Sequence, residues 1–213
     1  MDQSKGQVDN SNLEELQMAK KRDHKIMITD IAIEKVPYIN YKGIPEEEYE
    51  IIRELAKSVL RIAKENNNSD EVAITYSMDV DKLEHNDEMF GISFGDEHTV
   101  NPLEDTLSYH LIMSSTNCVI LSLHNHPSLS KISLADVQFF IKYDSIKMIV
   151  IITNLGSIFY MVKTDKYNKG KAIDLYNKAV DYHYKASGLK GYQNAADQFI
   201  NECFTVGIIH EDH

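Results

Sequence analysis

The stretch LHNHPSLSKISLAD, from Leu123 to Asp136, decides how this chain is read. It overlaps CVILSLH (118–124), a continuous apolar run of strand length, which predicts a strand covered on both faces. That strand ends in His124-Asn125-His126-Pro127, where the proline fixes the direction in which the chain leaves. A short loop follows, and Ser133 opens a helix with Asp136 in its first turn. Side chains at i and i+2 of a strand point to the same side, so His124 and His126 can converge on one ion. Asp136, one helical turn in, can add a carboxylate, and two neutral imidazoles with a carboxylate suit zinc. Three protein ligands leave the fourth tetrahedral position to water, which separates a catalytic from a closed structural site. Zinc lowers the pKa of such a water to about 7. The plainer reading of the same letters is a helix start, with Ser133 as N-cap and Asp136 as its capping-box acid. The two readings are compatible, since a ligand can also cap.

Working outward, KIMITDIAIEKV (25–36) alternates apolar with polar and predicts a strand. Pro45 followed by three glutamates is a helix start. Ile51, Leu55, Val59, Leu60, Ile62 and Ala63 continue that helix on one face up to Asn66-Asn67-Asn68. EVAITYSMDV (71–80) and MFGISFG (89–95) read as partner strands around a polar turn at Glu84 to Glu88. Pro102 opens a helical stretch to about residue 116, 133–144 reads as a helix, and 147–153 and 157–163 read as strands joined at Asn154-Leu155-Gly156. From Lys166 onward the pattern is helical, 168–187 and 192–204, broken at Gly188 and Gly191. The expected organisation is a leader over 1–23, with Leu13, Leu16 and Met18 able to support a short helix. A mixed α/β domain over 24–164 and a helical C-terminal extension over 165–213 follow.

The length, 213 residues, suits one such domain with appendages. Apolar residues make up 43% and charged residues 26%, an ordinary globular composition that excludes a disordered tail or a disulfide scaffold. The two cysteines, Cys118 and Cys203, form no close pair, which excludes an all-cysteine zinc module and points to a reducing compartment. A net charge of −11 repels phosphate backbones and argues against nucleic acid as a partner. No apolar h-region opens the chain and MIVII (148–152) is far short of a span, so a cytoplasmic protein without a membrane is expected.

The pattern His124, His126, Ser133 and Asp136, with an upstream glutamate, resembles the JAB/MPN (JAMM) metallopeptidase family, and the HNHPS wording resembles its RadC-like bacterial branch. The resemblance covers roughly residues 25–163. It implies a mixed sheet sandwiched by helices, a zinc ion held by His124, His126 and Asp136, and hydrolysis of a peptide or isopeptide bond. A protein or peptide substrate is then expected, a ubiquitin-like conjugate among the candidates. The family places its glutamate at the start of the strand after the first long helix, which is the place of Glu71; Glu84 and Glu88 are the alternatives. A base there takes a proton from water and gives it to the leaving amine. Ser133 would donate to the oxyanion. One departure stands out: six residues, Pro127 to Ile132, separate His126 from Ser133, where the family has seven. The spacing of Ser133 to Asp136 is kept, so the shortening falls in the loop, and Ser128 and Ser130 lack a correctly spaced aspartate.

Two rival classes compete with this reading. An inert domain of the same fold could serve as a binding module, though its ligand set is intact. A metal-dependent phosphoesterase would need further His or Asp ligands at strand ends, and the sequence offers none. The letters HNH do not make a nuclease, whose three residues spread over a ββα element. His110 and Cys118 read as packed residues, His210 and His213 as a frayed tail, and Tyr176, Tyr182 and Tyr184 as packing residues. In the helix 168–186, Ile173, Tyr176, Val180 and Tyr184 form one apolar stripe. Leu129 and Ile132 of the loop are exposed unless something covers them. The extension is expected beside the metal cleft, narrowing it to an extended peptide.

Overall fold

Apolar and β-branched runs pair into one mixed sheet. The computed structural model describes residues 24–79, 90–188 and 191–213. Among them are strands β1 (Val72–Ser77), β2 (Phe90–Phe94), β3 (Ile120–His126), β4 (Ile146–Thr153), β5 (Ile158–Lys163) and β6 (Ile208–Asp212). Their order across the sheet is β2-β1-β3-β4-β5-β6. Only β3 and β4 run parallel; the other neighbours are antiparallel. A parallel pair cannot be closed by a hairpin and needs a crossover, here the helix α4 (Leu134–Lys142). The residues that leave the end of β3 for α4 are those of the His-x-His stretch. Crevices at the carboxyl ends of strands are where α/β sheets place their ligands.

The helices cover both faces. Over one lie α1 (Asp30–Glu34) and α2 (Tyr49–Asn66), meeting Val72, Ile74, Leu121, Leu123, Val150, Ile152 and Tyr160. The buried stripe of α2 is Ile52, Leu55, Ala56, Val59, Leu60 and Ala63, each at helical spacing. Over the other face lie α4, α5 (Lys169–Ser187) and α6 (Gly191–Glu202), with Ile112 of α3 (Thr106–Ser114). There Phe140, Phe199, Cys203 and Val206 pack on Ile120, Ile149, Ile151 and Met161. β3 and β4 are buried almost throughout, as a strand pair sandwiched by helices must be. Each such aliphatic or aromatic side chain contributes about 1.5–3 kcal/mol on leaving water. Among the described residues no helix is long and apolar enough to cross a membrane.

The structure corrects several expectations. Residues 25–36 form no strand: Thr29 accepts a hydrogen bond from Ala32 N, and this cap starts the short helix α1, which buries Ala32 and Ile33. The helix expected from Pro102 begins as a 3₁₀ turn and restarts at Thr106, where Asp105 caps Ser108 N at 2.8 Å. His210 and His213 are no frayed tail. β6 pairs with β5 along its length, and His213 exchanges backbone bonds with Ile158. The helical segment thus closes with a sheet strand, turned into place at Gly207, whose φ is 82°.

On α5 the buried face is Ala172, Leu175 and Ala179, one position away from the predicted stripe; Ile173, Tyr182 and Tyr184 are exposed, whereas Tyr176 packs on the core. Small alanines let the helix sit close, and bulky residues were the misleading signal. Cys118 is exposed rather than packed, because the buried part of the strand starts only at Ile120, and His110 is exposed on α3, whose buried residues are Ser108 and Ile112. Ile132 is fully buried and Leu129 is exposed. The leader with Leu13, Leu16 and Met18 lies outside the described residues.

A Cβ at Gly207 would stand 2.4 Å from the backbone of Lys166, in a left-handed conformation that non-glycine residues resist. Gly207→Ala should therefore cost about 2 kcal/mol or more. Urea unfolding reads this as a lower midpoint with unchanged slope; an unchanged midpoint would contradict the turn that feeds β6.

Candidate metal centre

Alternation along β3 sends Ser122, His124 and His126 to the face of α4 and Leu121, Leu123 and Asn125 to the face of α2. Ala73 lies opposite His124 in β1, so Glu71, two residues earlier, shares the face of the histidines. Asp136 arrives from above, in the first turn of α4. His124 Nε2 stands 3.1 Å from His126 Nε2 and 3.1 Å from Asp136 Oδ1, and His126 Nε2 stands 3.5 Å from Asp136 Oδ2. A tetrahedral zinc with bonds of about 2.0–2.1 Å separates neighbouring donors by about 3.3 Å. The two imidazoles stand close to that spacing, Asp136 offers one carboxylate oxygen to each of them, and all three residues are buried. Among the described residues, this is the group of three His, Cys, Asp or Glu whose donor atoms converge, all within 4.8 Å of one another.

The surroundings support that donor set. His126 Nδ1 lies 3.1 Å from the carbonyl oxygen of Ser130, which can only accept, so Nδ1 carries a proton, and Nε2, once it gives up its own, is the nitrogen left to face a metal. Ser130 is itself held by Ser128, whose hydroxyl takes a bond from Ser130 N at 3.1 Å. The short loop thus wraps around the ring it serves. Ser133 donates its hydroxyl to Asp136 Oδ2 at 2.6 Å and its backbone N–H to the same oxygen at 2.7 Å, while Asp136 N donates back to Ser133 Oγ at 3.2 Å. This is the capping box of the plainer reading, and it orients the candidate ligand at the same time.

Charge follows the geometry. Burial works against a charged His126, but the bond and charge of Asp136 and the charge of Glu71 outweigh it and push the imidazole up to about 9. Burial would raise Asp136; the two histidines overcome this and hold it well below the usual carboxylate range. Glu71 is raised, chiefly by burial, with Asp136 and Asp96 adding to the effect and His124 and His126 opposing it. A carboxylate raised in this way moves toward the range in which it can take and return a proton at neutral pH.

Glu71, His124, His126, Ser133 and Asp136 all line one cavity of about 270 Å³, whose apolar wall is Val100, Pro102, Ala135 and Phe139. A polar cavity of about 240 Å³ adjoins it, shares Glu71, His126 and Ser133, and reaches Lys25, Glu97 and Gln193. A larger apolar depression of about 600 Å³ between α2 and β1–β2 lies away from these groups. The five residues singled out in the sequence are thus brought together; Glu84 and Glu88 lie outside the described residues. Sequence reasoning missed His98, which lines both cavities. Its one signal was Gly95-Asp96, where the Asp96 carboxylate accepts from His98 N and Thr99 N and turns the loop toward the site. It also missed Gln193, which α6 carries to the polar cavity.

Comparison of the chain with models of known families, with characterised proteins and with solved structures finds no match. The centre therefore stands on its geometry.

A divalent ion bound only by the folded state stabilises it, by about 2.7 kcal/mol at one hundred times its dissociation constant. Adding zinc to chelator-stripped protein should raise the melting temperature, and Asp136→Ala or His124→Ala should abolish the rise. A wild-type melting temperature indifferent to zinc and to chelator would remove the metal centre.

Proposed function

We propose that this chain is a zinc-dependent hydrolase of the JAMM type that cleaves a peptide or isopeptide bond, with ubiquitin-like conjugates among its candidate substrates. The observation that carries the reading is the convergence of His124, His126 and Asp136, with donor atoms all within 4.8 Å of one another, in a cavity whose wall includes Glu71. Imidazole nitrogens with a carboxylate oxygen favour zinc over calcium or magnesium, which take oxygen ligands. When bound, zinc supplies a Lewis acid that activates water and polarises a carbonyl.

The remaining work falls to side chains of the chain. Glu71 takes a proton from the attacking water and hands it to the departing amine, a cycle helped by its raised affinity for protons. Ser133 lines the cavity and donates its hydroxyl to Asp136 in the resting site; on substrate binding it turns that proton toward the carbonyl oxygen as negative charge grows there. The apolar wall of Val100, Pro102, Ala135 and Phe139 keeps bulk water from the reacting bond. An acidic surface, −11 in net charge, suits a substrate that carries lysines near the scissile bond.

The test is hydrolysis of fluorogenic peptides and isopeptide-linked conjugates by zinc-loaded protein, abolished by chelator. Stoichiometric zinc with no turnover on any of them would favour the binding-module reading. Glu71→Gln should keep fold and zinc but lose turnover by about 10²–10⁴-fold, the usual worth of a general base. Full activity in Glu71→Gln would remove Glu71 from the chemistry and leave the metal centre standing.

A further inference from the structure

The residue between the two histidines faces away from the metal centre and yet grips the strand that carries Glu71. Asn125 is fully buried on the α2 side of the sheet. Its Oδ1 accepts from Val72 N at 2.8 Å, and its Nδ2 donates to Asp70 O at 3.2 Å. These are the two backbone groups that flank Glu71. Nδ2 also donates to Asn154 Oδ1 at 2.8 Å, and Asn154 Nδ2 donates in turn to Ile26 O and Ser69 O. Glu71 itself donates its N–H to Asp96 O and accepts from Gly95 N, both at 2.9 Å, and from Asn67 Nδ2 at 2.8 Å. The chain enters this clamp through Asn68 and Ser69, at φ 48° and 63°, a left-handed pair that non-glycine residues adopt at a cost.

Ordinary sheet pairing does not explain the clamp. The β1–β3 ladder ends at Ala73–His124, so Asp70, Glu71 and Val72 lie beyond it. Resting on the reading of Glu71 as the base, we infer that Asn125 is a positioning residue for it. One side chain of β3 fixes the backbone on both sides of Glu71, while its neighbours on the same strand, His124 and His126, hold the metal. Strand β3 thereby sets the distance between base and metal through two rows of side chains on opposite faces. Leucine or valine at this place would fill the space and leave Val72 N–H, Asp70 O and Asn154 without their partners.

The experiment uses the zinc-loaded full chain and Asn125→Ala. Amide hydrogen exchange reads Glu71 and Gly95, whose N–H groups Asn125 does not touch. Both should exchange about tenfold faster or more, with the β4–β5 amides unchanged. Zinc stoichiometry should remain one per chain. With a hydrolysed substrate in hand, kcat should fall about 10–100-fold with KM within about twofold, the size expected for a misplaced catalytic group. The double variant Asn125→Ala/Glu71→Gln should be no slower than Glu71→Gln alone, since both remove one function. Ile152→Ala, a cavity beside Asn125 on the same face, controls for lost stability and should leave kcat unchanged. If Asn125→Ala does not fold, Asn125→Asp keeps the acceptor for Val72 N–H and carries the same measurements. Wild-type protection at Glu71 and Gly95, or losses that multiply in the double variant, overturns the inference. If no substrate is ever turned over, the hydrolase reading falls, and the exchange measurement alone decides whether Asn125 holds Glu71.

Discussion

The end of strand β3 carries three consecutive polar residues, His124, Asn125 and His126, into the interior, where each polar atom left without a partner would cost about 1–3 kcal/mol. The strand period of two divides the task between the faces. His124 and His126 meet Asp136 on one side, and Asn125 meets Asp70, Val72 and Asn154 on the other. Neither arrangement closes by itself. Asp136 needs α4 to start at Ser133, and Asn154 needs the β4–β5 turn to fall beside the end of β3. The sheet order places β3 between β1 and β4, which lets one strand end organise both neighbours.

The metal cluster was legible because its grammar is local. A spacing of two on a strand and of three across a helix start determines which side chains share a face, whatever the rest of the fold does. Glu71 was legible only through the resemblance, since nothing near it in sequence announces a carboxylate turned toward two histidines 53 and 55 positions on. The misreadings share a cause. Residues 25–36 alternate like a strand, yet Thr29 supplies a helix cap that starts α1. The stripe on α5 was sought among large residues, whereas the buried face of α5 is Ala172, Leu175 and Ala179. β6 was hidden because five residues after a helix carry little signal, and only the open edge of β5 gives them a partner.

Both ends of the described chain reach the loop that follows the histidines. Near the N-terminus, Ile26 donates its N–H to Pro127 O at 2.7 Å, and Lys25 pairs with Asp70 at 2.6 Å. Near the C-terminus, Asp212 on β6 pairs with Lys131 at 2.8 Å. The first of these links ties the loop to the Asn154 network, because Ile26 also gives its carbonyl to Asn154 Nδ2. The loop, the clamp on Glu71 and the chain entering α1 are therefore one hydrogen-bonded unit.

Magnitudes decide which of those ties holds the loop. Lys131 and Asp212 are both about half exposed, and an ion pair in that setting contributes about 0–1 kcal/mol. Ile132, by contrast, is fully buried among Val137, Phe140 and their neighbours, which contributes about 1.5–3 kcal/mol. The bond from Ile26 N to Pro127 O adds about 1 kcal/mol more. The loop is thus anchored at its two ends, by Pro127 and by Ile132, with only four residues spanning between. With so little slack, Ser130 has few places to put its carbonyl other than against His126 Nδ1. The short loop thus holds the Nδ1 side of the His126 ring while its Nε2 faces His124 and Asp136.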